Sequence, residues 1–298
     1  MRSPSEARAL LTVYHSILGG ADVVDAATTR VAYTSAASHF DYEQWTTRPV
    51  AFFFAGNMLR ANGASFVRMS LTQLNTLTAS RIHCTGVDPE SGSWNVWRAM
   101  LQAYETALAR RGKSLSTQRR KAFEADYCLP PLSREALLLA MRKAKFCICP
   151  RGDSPSTSRV YQALSVGCIP IVVSDHWQSM AAPFVGLLDY SAVILSVREV
   201  DAIEALEEAL SSVLRSVGIT MLMTGTHSGG NVTLRVPAAG SPGARLLEKR
   251  LLAMRTTYRA ALWGLRRNVV LANLTLVSAL AVVASRSLAP EPERAYGV

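Results

Sequence analysis

Apolar residues in this chain gather into short unbroken blocks separated by stretches of helical period. Val50 to Ala55 is one such block, ending at Gly56; Phe146 to Cys149 and Cys168 to Val173 repeat the form, and Arg81 to Cys84 and Ala192 to Leu195 are shorter versions. A strand with one wet face alternates in polarity. An unbroken block is the pattern of a strand covered on both faces, as in a parallel sheet. Between the blocks, Trp97, Met100, Leu101, Tyr104 and Leu108 recur at helical spacing and predict a helix over 94–110. A further helix is predicted from Ser133, a suitable N-cap, to Lys143. Another follows the polar loop at 150–155 and runs to Val166, where Gly167 can end it. An amphipathic helix with acids at Asp201, Glu204, Glu207 and Glu208 covers 199–214, and a last helical pattern covers 246–262.

Strand, loop, helix and strand at this spacing make βαβ units, so the expected fold class is α/β: a Rossmann-like parallel sheet with helices on both faces. Residues 46–216 hold that pattern, whereas 1–45 carry weak signals. The glycines at 218, 225, 229, 230, 240 and 243 mark 217–243 as a flexible insertion, 244–287 as C-terminal helices packing on the domain, and 288–298 as a tail.

Composition changes this picture little. Of 298 residues, 49% are apolar and 18% charged, enough to fill a core and against a disordered chain. The net charge of +10 suits an anionic partner. The basic clusters at 110–113 and 119–121 are short and lack interleaved aromatics, which argues against nucleic acid. Five cysteines (84, 128, 147, 149, 168) form neither a disulfide framework nor a zinc pattern. Cys147, Cys149 and Cys168 lie in apolar blocks and read as buried free thiols, while Cys84 and Cys128 are free to pair in an oxidising compartment. The acidic pair Glu124 and Asp126 follows no apolar block and reads as a solvated loop. No N-terminal signal or anchor is evident. The apolar run at 269–284 falls short of the roughly 20 residues of a spanning helix and reads as a buried helix, with a membrane tail as the alternative. Asn231 and Asn273 head glycosylation sequons, of which the first is the more accessible by sequence.

The candidate chemistry lies after Cys149. In an open parallel sheet, ligands sit beyond the carboxyl ends of the strands. The loop there combines Arg151, Gly152, Asp153, Ser154, Ser156, Thr157, Ser158 and Arg159, and opens a helix. Hydroxyl groups, unpaired amides and guanidinium groups suit a phosphate or diphosphate. Gln162 lies on the same helix face as Ser158 and Arg159, so all three can face one ligand. The competing reading is a polar, self-capped loop with a solvated Arg159.

Three elements then carry a resemblance. FCICPRGDSPSTSRVYQALSVGCIPIVVSD at 146–175, RPVAFFFAGNMLR at 48–60 and PFVGLLDYSAVILSVRE at 183–199 resemble, in the same order, the signature of the exostosin-like glycosyltransferases, family 47. The likeness covers about residues 46–200. It implies the C-terminal, donor-binding half of a GT-B fold and inverting transfer of a sugar from a nucleotide donor, usually a UDP-sugar, to a glycan or glycoprotein acceptor. Gly56 and Arg60 would line the phosphate side, Ser156, Thr157, Ser158 and Arg159 would contact the diphosphate, and Arg151, Gly152 and Ser154 complete the nucleotide-sugar-binding set. Gln162 stands where the family places an acid on the ribose hydroxyls. Residues 1–45 would be a remnant of, or linker from, an acceptor domain. The resemblance also implies the Golgi or secretory pathway and leaves room for membrane association and for homo- or hetero-oligomers. No cofactor is required on this reading; a divalent cation is the alternative. No general base is assigned, and Asp153, Asp175 and His176 are the candidates nearest the donor loop. The rival function is a non-catalytic nucleotide-sugar-binding partner.

Overall fold

The computed structural model describes residues 38–60, 63–77, 79–115, 120, 129–155, 157–182, 189–224 and 231–258. Five parallel strands form the central sheet: β1 (Val50–Asn57), β2 (Ser80–Thr85), β3 (Ala144–Pro150), β4 (Ile169–Val173) and β5 (Leu195–Val197), in the spatial order β2-β1-β3-β4-β5. Residues 51–55 of β1 and 146–150 of β3 are buried without a break, as is all of β4, which is why the sequence shows blocks there and no alternation. Phe52, Phe53, Phe54 and Phe146 are among the largest fully buried side chains. Burial of each contributes about 1.5–3 kcal/mol.

The helices are α1 (Tyr42–Thr46), α2 (Ala64–Leu71), α3 (Gly92–Ala109), α4 (Arg134–Arg142), α5 (Arg159–Ser165), α6 (Glu199–Arg215) and α7 (Pro242–Tyr258). They form two groups: α2 packs on α3 and α6, whereas α5 packs on α4 and α7, and α7 on α1. Crossovers between parallel strands are right-handed and the winding direction reverses after β2, so α2 in the β1–β2 crossover and α5 in the β3–β4 crossover lie on opposite faces. Ser133 caps α4, accepting from the Ala136 amide, as its position before the helical run predicts.

At the lower edge, Arg48 is 7% exposed and donates to four carbonyls, those of Ala144, Gly167, Val166 and His39. Two of these close the C-terminal end of α5, where a cation also opposes the negative end of the helix dipole. Gly167 sits there at φ +67°, and a Cβ on it would lie 2.3 Å from the His39 carbonyl oxygen. No other residue fits this turn.

The structure departs from the sequence reading at several points. Cys147 and Cys168 are joined in a disulfide, with Cα atoms 5.7 Å apart, and are not free thiols; Cys149 and Cys84 are buried and free. The reason is tertiary: β3 and β4 pair with Cys147 opposite Pro170, which brings Cys168, two residues earlier, within bridging distance. Cys128 lies outside the described residues. The last strand begins at Leu195; Ala192 instead ends a 3-10 turn over Tyr190–Ala192, capped by Asp189. Within 217–243, expected to be a flexible insertion, β6 (Thr220–Thr224) and β7 (Asn231–Arg235) form an antiparallel pair, and residues 225–230 lie outside the described residues. The apolar run at 269–284, Glu124 and Asp126 also lie outside them; among the described residues no helix is long and apolar enough to cross a membrane.

Candidate functional site

In the order β2-β1-β3-β4-β5, the winding direction changes between β1 and β3. Chains leave these two neighbours toward opposite faces, which opens a crevice above their carboxyl ends, the place where such sheets bind ligands. The segment leaving β1 supplies Gly56, Arg60 and, from α2, Arg68. The segment leaving β3 supplies Arg151, Asp153 and, from α5, Arg159.

Arg60 pairs with Asp153 across the crevice at 3.2 Å, both exposed. Arg159 reaches from α5 back to β1: its Nε donates to the Ala55 carbonyl at 3.1 Å and its NH1 to Gln162 Oε1 at 2.6 Å. Arg151 is fixed sideways, its Nε donating to Glu199 at 2.9 Å. Beneath them Arg68, only 6% exposed, donates from NH1 to the Asn57 carbonyl at 2.5 Å and from NH2 to the Arg151 carbonyl at 3.0 Å. Burial, then Arg60 and Arg159, push the Arg68 guanidinium down to about 10, still charged at neutral pH. Burial is also the main cause lowering Arg159. Four guanidinium groups thus meet at one strand boundary, balanced by Asp153 and Glu199.

This arrangement sharpens the sequence reading and corrects parts of it. Gly56 is at the site for a steric reason: a Cβ there would lie 3.1 Å from Arg68 NH1 and 3.2 Å from the Phe54 ring. Arg159 and Gln162 do come together, but the amide oxygen is engaged by the guanidinium and is not directed solely at a ligand. The inner face of α5 is apolar, with Val160, Ala163 and Leu164 buried. Gly152 is half-buried, Ser154 and Ser158 are exposed, Thr157 is buried with Oγ1 accepting from the Arg159 amide at 3.4 Å, and Ser156 lies outside the described residues. The α5 helix has only seven residues. Its dipole is correspondingly short, and the positive field at the crevice rests mainly on side chains.

The base candidates differ in environment. Asp175 accepts from the Glu199 amide at 3.0 Å while its own amide donates to Glu199 Oε1 at 3.3 Å, so its carboxylate ties the end of β4 to the start of α6. Asp153 is held by Arg60, and His176 is exposed at the start of a short π-helical turn. Arg68 is the residue that sequence reasoning missed. Its one signal is a charged side chain on the apolar helix that follows the β1 loop. Among the described residues, no three His, Cys, Asp or Glu side chains converge. A cavity of about 810 Å³ along α3, lined by Trp94, Arg98, Glu105 and Arg120 among others, lies away from the crevice, and its Arg120 is paired with Glu105 at 3.5 Å.

Comparison with known proteins agrees with the topology. The Exostosin GT47 domain model matches residues 20–213. The chain is similar to a probable arabinosyltransferase, ARAD1, of Arabidopsis thaliana, 38% identical over 58 residues, covering 20% of this chain and 12% of the relative. It is similar to the Exostosin-1 homolog of Caenorhabditis elegans, 32% identical over 77 residues, covering 26% and 19%. A probable glucuronosyltransferase, GUT1, of Oryza sativa subsp. japonica is 27% identical over 103 residues, covering 35% and 24%. The chain therefore spans less than a quarter of the length of each of these three relatives. With its parallel sheet, its arginine-lined switch point and a family match over most of its length, the chain belongs to the exostosin GT47 glycosyltransferase family.

Proposed function

We propose that the β1–β3 crevice binds the diphosphate of a nucleotide-sugar donor, with UDP as the nucleotide, and that the protein transfers the sugar with inversion to a hydroxyl of a glycan or glycoprotein. The observation that carries this reading is the convergence of Arg60, Arg151 and Arg159 above the buried Arg68 at the switch point. In such a transfer the acceptor oxygen bonds to the anomeric carbon as the bond from that carbon to the diphosphate breaks. Negative charge grows on the departing nucleotide, and fixed guanidinium groups in a partly dry crevice stabilise it without reorganising. They can do so without a metal ion. Gln162, one helical turn beyond Ser158, is suited to the ribose hydroxyls through its amide nitrogen while its oxygen holds Arg159. The acceptor's proton goes to a base; Asp153 and His176 are better placed to take it than Asp175, whose carboxylate serves the α6 terminus.

Isothermal calorimetry with UDP, set beside a UDP-sugar hydrolysis assay, tests the reading. Arg159→Ala is expected to abolish measurable UDP binding while the protein stays folded; unchanged affinity would contradict it. Binding without turnover would instead indicate a donor-binding partner. We place the protein in the secretory pathway, supported by the buried Cys147–Cys168 disulfide, a bond that persists in oxidising compartments.

A further inference from the structure

Arg68 is an unusual residue to find under an anion site. It is 6% exposed, makes no ion pair among the described residues, and its buried Nε has no hydrogen-bond partner there. A buried cation normally sits beside a carboxylate, because an uncompensated charge is costly to desolvate. Arg68 is compensated by the carbonyls of Asn57 and Arg151, and its guanidinium lies 5.8 Å from the centre of the Phe54 ring. Those two carbonyls belong to opposite lips of the crevice: Asn57 ends β1, and Arg151 follows β3. Arg68 reaches from the β1 side to the β3 side, and Arg159 makes the reverse crossing, from α5 to Ala55. The pair forms a reciprocal clamp. Strand pairing does not supply this tie, since the β1–β3 register runs only from Val50↔Ala144 to Phe53↔Cys147, and the upper ends carry no ladder bonds. Gly56 leaves the space in which the Arg68 fork lies.

We propose that Arg68 is a positioning residue for the donor: its planar fork fixes the separation of the β1 and β3 ends, and so the spacing at which Arg60 and Arg159 face a diphosphate. The proposal rests on the donor-site reading above. A lysine in its place keeps the charge but, as a single ammonium on a flexible stem, cannot hold two carbonyls in one plane.

The test is calorimetry of wild type, Arg68→Lys and Arg68→Met with UDP and with uridine, alongside thermal melting. In both variants UDP affinity is expected to fall about tenfold or more, as for loss of a good charged hydrogen bond, while uridine affinity is unchanged. A loss of folding would lower both together, and should Arg68→Met not fold, Arg68→Lys decides. Lysine-variant UDP affinity equal to wild type overturns the clamp, because charge alone would then suffice. Equal wild-type affinity for UDP and uridine overturns the donor reading and the clamp with it.

Discussion

Arginine at this fold's two edges shows how one side chain is put to opposite uses. Arg48 spends its donors on carbonyls at the foot of the sheet and is turned wholly inward. Arg159 uses Nε and NH1 to lock itself to Ala55 and Gln162, so the part of its fork left for a ligand is already oriented. Pre-orientation lowers the entropy lost on binding. Gln162→Glu is accordingly expected to keep or tighten UDP affinity in a titration. One carboxylate oxygen would hold Arg159 and the other would present a stronger acceptor to the ribose diol; a loss of binding would show that position 162 does not serve the ribose. His39 offers a test that does not involve the site. Burial first, then Arg142 and Arg48, push its imidazole down to about 4 from an ordinary 6.5, and the neutral ring faces the Arg142 guanidinium. As pH falls below about 6.5 the unfolded chain takes up a proton that the folded one refuses, so stability is present above that pH and is lost as pH drops toward about 4. Urea midpoints at pH 7 and pH 5 should fall further for wild type than for His39→Gln.

At the level of elements, the site depends on the two neighbours of β3. On one side, β4 is joined to it by the disulfide as well as by the ladder, closing a separation of 21 residues that contains the loop after β3 and α5. Closing a loop of that size is worth about 3 kcal/mol through the unfolded chain. Cys147→Ala combined with Cys168→Ala, or full reduction, is therefore expected to lower stability by about that much in chemical denaturation. Thiol labelling should find Cys84 and Cys149 shielded until unfolding, their thiols pushed up to about 12 by burial. On the other side, β1 is held to β3 by few ladder bonds, and arginines complete the join. The Asp175 and Glu199 pairing does similar service between β4 and α6, and it also orients the Glu199 carboxylate toward Arg151. A loop fixed from three directions resists reshaping, and a rigid supporting shell is what the proposed diphosphate site needs.

For the molecule as a whole, the basic balance of +10 is not spread evenly with respect to function. A surface pair such as Arg198 with Asp201 is exposed and contributes little. The four guanidinium groups at the switch point lie where a doubly wound sheet leaves its crevice, and there their charge is concentrated. On the proposed reading, in which side chains neutralise the diphosphate, UDP affinity is expected to be the same in EDTA as in magnesium or manganese, and to weaken as salt rises. A strict metal requirement in the titration would contradict this account.

Much of this was legible in the sequence for a physical reason. Strands buried on both faces must be continuously apolar, so the unbroken blocks at 50–55, 146–149 and 168–173 announced a parallel sheet, and the polar loop after Cys149 then had to lie at a strand's carboxyl end. Ser133 and Gly167 marked helix ends because capping is local chemistry. The antiparallel β6–β7 pair was not legible, since glycines before, between and after its short strands read as a loop and its pairing is made outside the main sheet. Nor was the partner of Cys147, the inward turn of Arg48, or the bridge made by Arg68. Each of these depends on which strand lies beside which, and strand order is set by packing among residues far apart in the chain. Local pattern thus determined what the elements are and placed the polar loop at a strand's carboxyl end; only the tertiary structure decided which arginines meet there, and that Arg48 and Arg68 turn their forks onto carbonyls.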